Sequence, residues 1–151
     1  MLEQDYIMKM LLAFYQALVK SLTQAKDEDR PEEAANTLDE AVSNAVGMDG
    51  KALLSLAPES IGTVLQVSGT DPRVSEYVAR SLLLASDYFE QAGQKQLSIL
   101  RREQANAVAK TYGFELPEDA ADLSELERLA KEEQEEGKNQ NEDENENEDA
   151  E

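Results

Sequence analysis

Cysteine, histidine and tryptophan are all absent from this 151-residue chain, and each absence removes a chemistry. Without cysteine there are no disulfides, thiolate zinc sites or thiol nucleophiles. Without histidine the usual general base and the usual transition-metal ligand are gone. β-branched residues are scarce, with eight valines, three isoleucines and five threonines, which argues against a sandwich or barrel. Basic side chains are outnumbered 14 to 33 by acids, leaving a formal charge of −19. Nucleic acid and anionic membranes both reward lysine and arginine, so neither is an expected partner.

What remains is dominated by helix formers. Alanine, leucine, glutamate, lysine and arginine make up 74 of the 151 residues, and the length suits one domain with one core. The opening MLEQDYIMKMLLAFYQALVK is apolar, but Glu3 and Asp5 precede its first lysine, and Lys9 and Gln16 interrupt it. It therefore reads as a helix rather than a secretory leader or a membrane span, and the cytoplasm is the expected compartment.

Proline and glycine punctuate the rest. Pro31, Pro58, Pro72 and Pro117 each fit the head of a helix, where a missing N–H costs nothing. Glu32, Glu59 and Glu118 follow three of them at the positive end of the helix dipole, and Asp71 precedes the fourth as an N-cap. Gly47, Gly69, Gly93, Gly113 and Gly137 lie where helices should end. The pattern predicts helices at about 2–26, 31–46, 50–56, 58–68, 72–92, 94–112 and 118–135. A strand at Thr63–Val67 is the alternative for the middle, though it would have no partner. Ala92-Gly93-Gln94 is short enough to fold the fifth and sixth helices into an antiparallel hairpin. Ser124 and Glu127 are spaced as a capping box.

The first helix is the most apolar. Ile7, Leu11, Phe14, Leu18 and Leu22 form one stripe, and Met8, Leu12, Tyr15 and Val19 form its neighbour. Such breadth exceeds what one small bundle covers, which predicts a homo-oligomer joined through Tyr6, Met10, Phe14, Tyr15 and Leu18. In the second helix Ala34, Leu38, Ala41, Val42 and Ala45 suit close helix contact. Residues 1–136 are expected to form a single helical domain, and 137–151 an acidic, Asn/Glu-rich disordered tail.

Chemical motifs are sparse. Neither Asp27–Asp29 nor the tail has the glycine and spacing of a calcium loop. Gly47-Met48-Asp49-Gly50-Lys51 lacks P-loop spacing and reads as a turn. The acid pairs Glu32/Glu33 and Glu118/Asp119 are explained by helix starts. No catalytic residue, metal site or cofactor is predicted. Arg80, Arg101 and Arg102 are the main basic concentration, either a patch for carboxylate or phosphate or simply partners of acids such as Glu76.

Gln4-Asp5-Tyr6-Ile7-Met8-Lys9-Met10 resembles the opening of a bacterial protein family of unknown function, found largely in Gram-positive organisms. The segment from Leu84 to Gly93 is similar to the first helix of a tetratricopeptide repeat. It lacks that repeat's tryptophan and paired Leu-Gly, and the chain has no self-repeat at the tetratricopeptide period. The resemblance implies a tetratricopeptide-like helical body and brings no catalytic residues. The functional expectation is an all-α protein–protein interaction or scaffold module without catalysis. An acidic adaptor that engages a basic partner through its tail is the alternative.

Overall fold

The computed structural model describes residues 2–46, 50–128 and 131–132, with side chains from Asp5 onward. Six helices are placed among them: α1 (Leu2–Lys26), α2 (Pro31–Val46), α3 (Gly50–Leu54), α4 (Pro58–Val67), α5 (Pro72–Gln91) and α6 (Lys95–Tyr112). A further helical stretch begins at 124. No strand occurs among the described residues, so Thr63–Val67 is helical, as part of α4. The architecture is all-α. The tail expected at 137–151, with the helix ends expected at Gly47 and Gly137, lies outside the described residues.

The helix starts follow local chemistry. Asp71 accepts the Arg73 amide at 2.8 Å, and Pro72 opens α5 behind it. Burial alone would raise the Asp71 carboxyl. Hydrogen bonds and charge from Arg73, helped by the Val74 amide, outweigh it and hold the group below its ordinary range. At the other end of the α5–α6 hairpin the turn needs a left-handed residue, and Gly93 supplies φ +81°.

The C-terminal segment departs from expectation. No helix starts directly after Pro117, because acids there serve as local acceptors instead of helix starters. Asp119 takes the Ala121 amide at 3.0 Å, and Asp122 takes both the Ser124 amide and the Ser124 hydroxyl. Asp122, not Ser124, therefore caps the stretch that starts at 124, and the Ser124–Glu127 box does not form.

Packing is organised around α5. It pairs antiparallel with α6, and the α1–α2 hairpin lies against it through both members. Ser86 Oγ donates to the Ser98 carbonyl at 2.7 Å within the α5–α6 seam, and Ser21 meets the Tyr88 hydroxyl at 3.1 Å between α1 and α5. Thirteen residues of α5 are buried, from Val74 to Phe89, while α4 rides on α6. That last contact is close at Gly62, where an added Cβ would overlap the Thr111 side chain, including its branched Cβ.

Two stability tests follow from this packing. Gly62→Ala is expected to destabilise the fold by about 1–3 kcal/mol in denaturant unfolding, because a β-branched neighbour has little room to yield. Asp71→Ala should cost about 0.5–2 kcal/mol at neutral pH as a lost cap. A carboxyl lowered in the folded state stabilises above its unfolded pKa and loses that contribution as pH falls through the folded value. The melting-temperature gap between Asp71→Ala and the parent chain should thus shrink on acidification.

Candidate functional site

The candidate surface lies on α1, whose inner face explains most of its apolar residues. Leu11, Phe14 and Leu18 are in the core, and the Phe14 and Tyr77 rings meet at 5.9 Å between centroids. Phe14 is 2% exposed and Leu18 0%. These two members of the expected self-association surface are therefore consumed by the chain's own fold, because their stripe faces α5. Tyr15 and Met10 are half-buried, and Tyr6 is 63% exposed.

Two features remain on the outside of α1. On one flank, Met8, Leu12, Tyr15, Val19 and Leu22 recur at alternating intervals of four and three, the spacing of a coiled-coil seam, with Tyr15 and Leu22 also touching the core. Val19 is 42% exposed and the other four are half-buried. On the other flank, α1 and α2 enclose a groove of about 610 Å³. Ala13 and Ala17 of α1 and Ala41 and Ala45 of α2 line it together with polar residues such as Lys9, Lys20 and Glu40, and Tyr6 and Met10 complete its border. The small-residue stripe of α2 thus divides: Ala34, Leu38 and Val42 are buried in the core, while Ala41 and Ala45 border this groove.

The three arginines do not make one solvent-facing patch. Arg101 is 5% exposed and clamps Asp39 of α2 with two bonds of 3.1 Å, one from Nε and one from Nη2. Its Nη1 donates to the Leu54 carbonyl and to Gln104 Oε1, and its guanidinium lies 5.8 Å from the centre of the Phe89 ring. Arg80, 3% exposed, donates to the Asp122 carbonyl. Arg102 is exposed and pairs with Asp87 at 3.2 Å, with Glu90 at 3.9 Å. Arg101 and Arg102 are both paired with acids. The acids used are Asp39 and Asp87, from distant parts of the sequence.

Carboxyls displaced from their ordinary values are scattered. Asp39 is raised by burial, against the hydrogen bond and charge of Arg101. Asp87 is raised by burial and lies beside Arg102 within the hairpin. Glu33 pairs with Arg30, and Glu32 accepts from Gln94 Nε2 at 2.8 Å. No cluster of three or more acids arranged to hold a metal occurs among the described residues. No helix there is long and apolar enough to cross a membrane.

Asp39 and Gln104 escaped the sequence reading. Gln104 Nε2 donates to the carbonyls of Leu54 and Leu56, each at 2.9 Å. The available signal was the Arg101–Gln104 pair at i, i+3 on an otherwise apolar face. Asp39 had no such signal, since its partner lies 62 positions away. With this geometry in hand, comparison with protein-family models, curated proteins and solved structures found no match.

The buried pair invites a double-mutant cycle. Arg101→Met leaves Asp39 without its partner and should cost about 3–5 kcal/mol in denaturant unfolding, whereas Arg101→Met with Asp39→Leu should recover much of the loss. A double variant no more stable than Arg101→Met alone would show that the pair is not the source.

Proposed function

We propose that the protein is a non-catalytic, cytoplasmic protein–protein interaction module that self-associates through α1. One observation carries the reading: the seam Met8-Leu12-Tyr15-Val19-Leu22 borders the buried Leu11, Phe14 and Leu18, spends only Tyr15 and Leu22 partly on the core, and keeps coiled-coil spacing over four turns. A core-facing helix needs only one such series. A second copy laid along α1 covers the other by presenting the same residues in return, as a two-fold contact does. Antiparallel alignment about the Ala13–Phe14 link sets Met8 against Val19 and Leu12 against Tyr15, so the four central layers are apolar, while Leu22 falls opposite the exposed Asp5 at either end. One helix flank buries less than a standard interface, so the assembly is of the weak, exchanging class. The antiparallel hairpins are consistent with a tetratricopeptide-like body and with the resemblance of the opening residues to the Gram-positive family.

Sedimentation velocity or light scattering from tens to hundreds of micromolar tests the proposal. Mass should rise towards a dimer with concentration, and Leu12→Glu with Val19→Glu should hold the chain monomeric at unchanged helicity. By contrast, Phe14→Ala should cost about 3–5 kcal/mol of fold stability, because it empties the core. A parent chain that stays monomeric throughout the range removes the self-association reading.

A further inference from the structure

Beyond Gly113 the chain leaves α6 and crosses α5 as a strap over residues 114–128. Leucine and backbone hold it down. Ala120, Leu123 and Leu126 enter the core, and the Tyr77 hydroxyl donates to the Leu126 carbonyl at 3.2 Å. Arg80 Nη2 donates to the Asp122 carbonyl. The rest of Arg80 is not so well met. The residue is almost wholly buried, and its Nε has no hydrogen-bond partner among the described residues.

Carboxylates approach this guanidinium from both elements, Glu76 from α5 and Asp122 and Glu125 from the strap. None of the three makes a hydrogen bond to it among the described residues. Glu76 is raised first by burial and then by Glu125, so helix and strap face each other with like charge. A buried guanidinium answered by a single carbonyl is an incomplete contact. Its fork is shaped for a carboxylate, and charge-assisted pairs are about twice as strong as neutral ones. An unmet donor away from water is a penalty that a better-fitting occupant relieves.

We propose that residues 117–128 are a displaceable strap, and that the seat beneath them is a docking site for an acidic, leucine-bearing segment of a partner protein whose carboxylate reaches Arg80 Nε. The strap supplies the template. Ala120, Leu123 and Leu126 recur every three residues as the apolar anchors, with Asp122 and Glu125 between them. A partner segment reproduces the leucines and adds the ion pair that the strap leaves unmade. The seat involves α5 and is separate from the outer seam of α1, so it does not rest on self-association.

The test uses a fluorescein-labelled peptide of residues 117–128 as probe and anisotropy as readout, on the full chain throughout. Leu123→Ser with Leu126→Ser loosens the strap and should raise peptide affinity at least tenfold over the parent. Because the chain has no cysteine, Glu76→Cys with Glu125→Cys can be joined by a bismaleimide to pin the strap. The pinned protein should lose binding that the same variant shows before crosslinking. Freed from the chain that tethers the strap, the peptide is able to turn its Asp122 or Glu125 carboxylate onto Arg80 Nε, so Arg80→Met in the loosened background should weaken it at least tenfold. If circular dichroism shows the double serine variant unfolded, Leu126→Ala alone repeats the comparison. Equal affinity in loosened and pinned proteins, or no effect of Arg80→Met, overturns the proposal. So does concentration-dependent dimerisation of the parent chain that the peptide abolishes, which would assign the seat to a second copy.

Discussion

The Arg101 guanidinium is where the helices are tied together. Helix α3 has only five residues, too few to satisfy its own C-terminal carbonyls, and its Leu54 carbonyl points inward. Arg101 and Gln104 of α6 meet it, while Arg101 also grips Asp39 of α2 and lies over Phe89 of α5. Three helices therefore share one set of donors and acceptors, and α5 adds an aromatic face. Burying such a pair is not in itself a large source of stability, since desolvation offsets much of the attraction. Its effect is geometric. The pair can be satisfied only when α2 and α6 stand at one separation and one register, which fixes the α1–α2 hairpin against the α5–α6 hairpin.

That registration decides which part of α1 is spent on the fold. With α2 locked by Asp39 and α5 buried through thirteen residues, only the stripe through Leu11, Phe14 and Leu18 can point inward. The adjoining stripe is left at the margin of the core, and the alanines at positions 13, 17, 41 and 45 leave a furrow rather than a filled seam on the far side. The apolar surface left on α1 is thus what remains after a small bundle has taken what it needs from an unusually apolar helix.

Most of the fold could be read from punctuation. Pro31, Pro58 and Pro72 open helices, Asp71 caps, and Gly93 and Gly113 turn the chain left-handed where expected. Those signals are local, and local signals survive in a single sequence. Pro117 failed for an equally local reason: Asp119 and Asp122 have two uses, helix start or turn acceptor, and the nearest amides chose the second. The site was less legible. Apolar width on α1 was visible, but which stripe faced inward depended on where α5 sits, so Phe14 and Leu18 were assigned to the wrong side. The arginine cluster misled similarly. Adjacency in sequence places Arg101 and Arg102 side by side, yet on a helix successive residues point about 100° apart, sending one inside and the other to solvent.

Hiding Arg80 and Arg101 has a consequence for how molecules of this protein meet. Arg101 takes Asp39 inward with it, but Arg80 enters without a contacting counter-charge among the described residues, so the exterior is at least as anionic as the formal −19. Two such bodies repel at long range, and dissolved ions damp that repulsion within about 8 Å at physiological ionic strength. Encounters between copies are accordingly favoured by added electrolyte, and encounters with cationic molecules are weakened by it. The medium alone can thus tilt the choice between like and unlike neighbours.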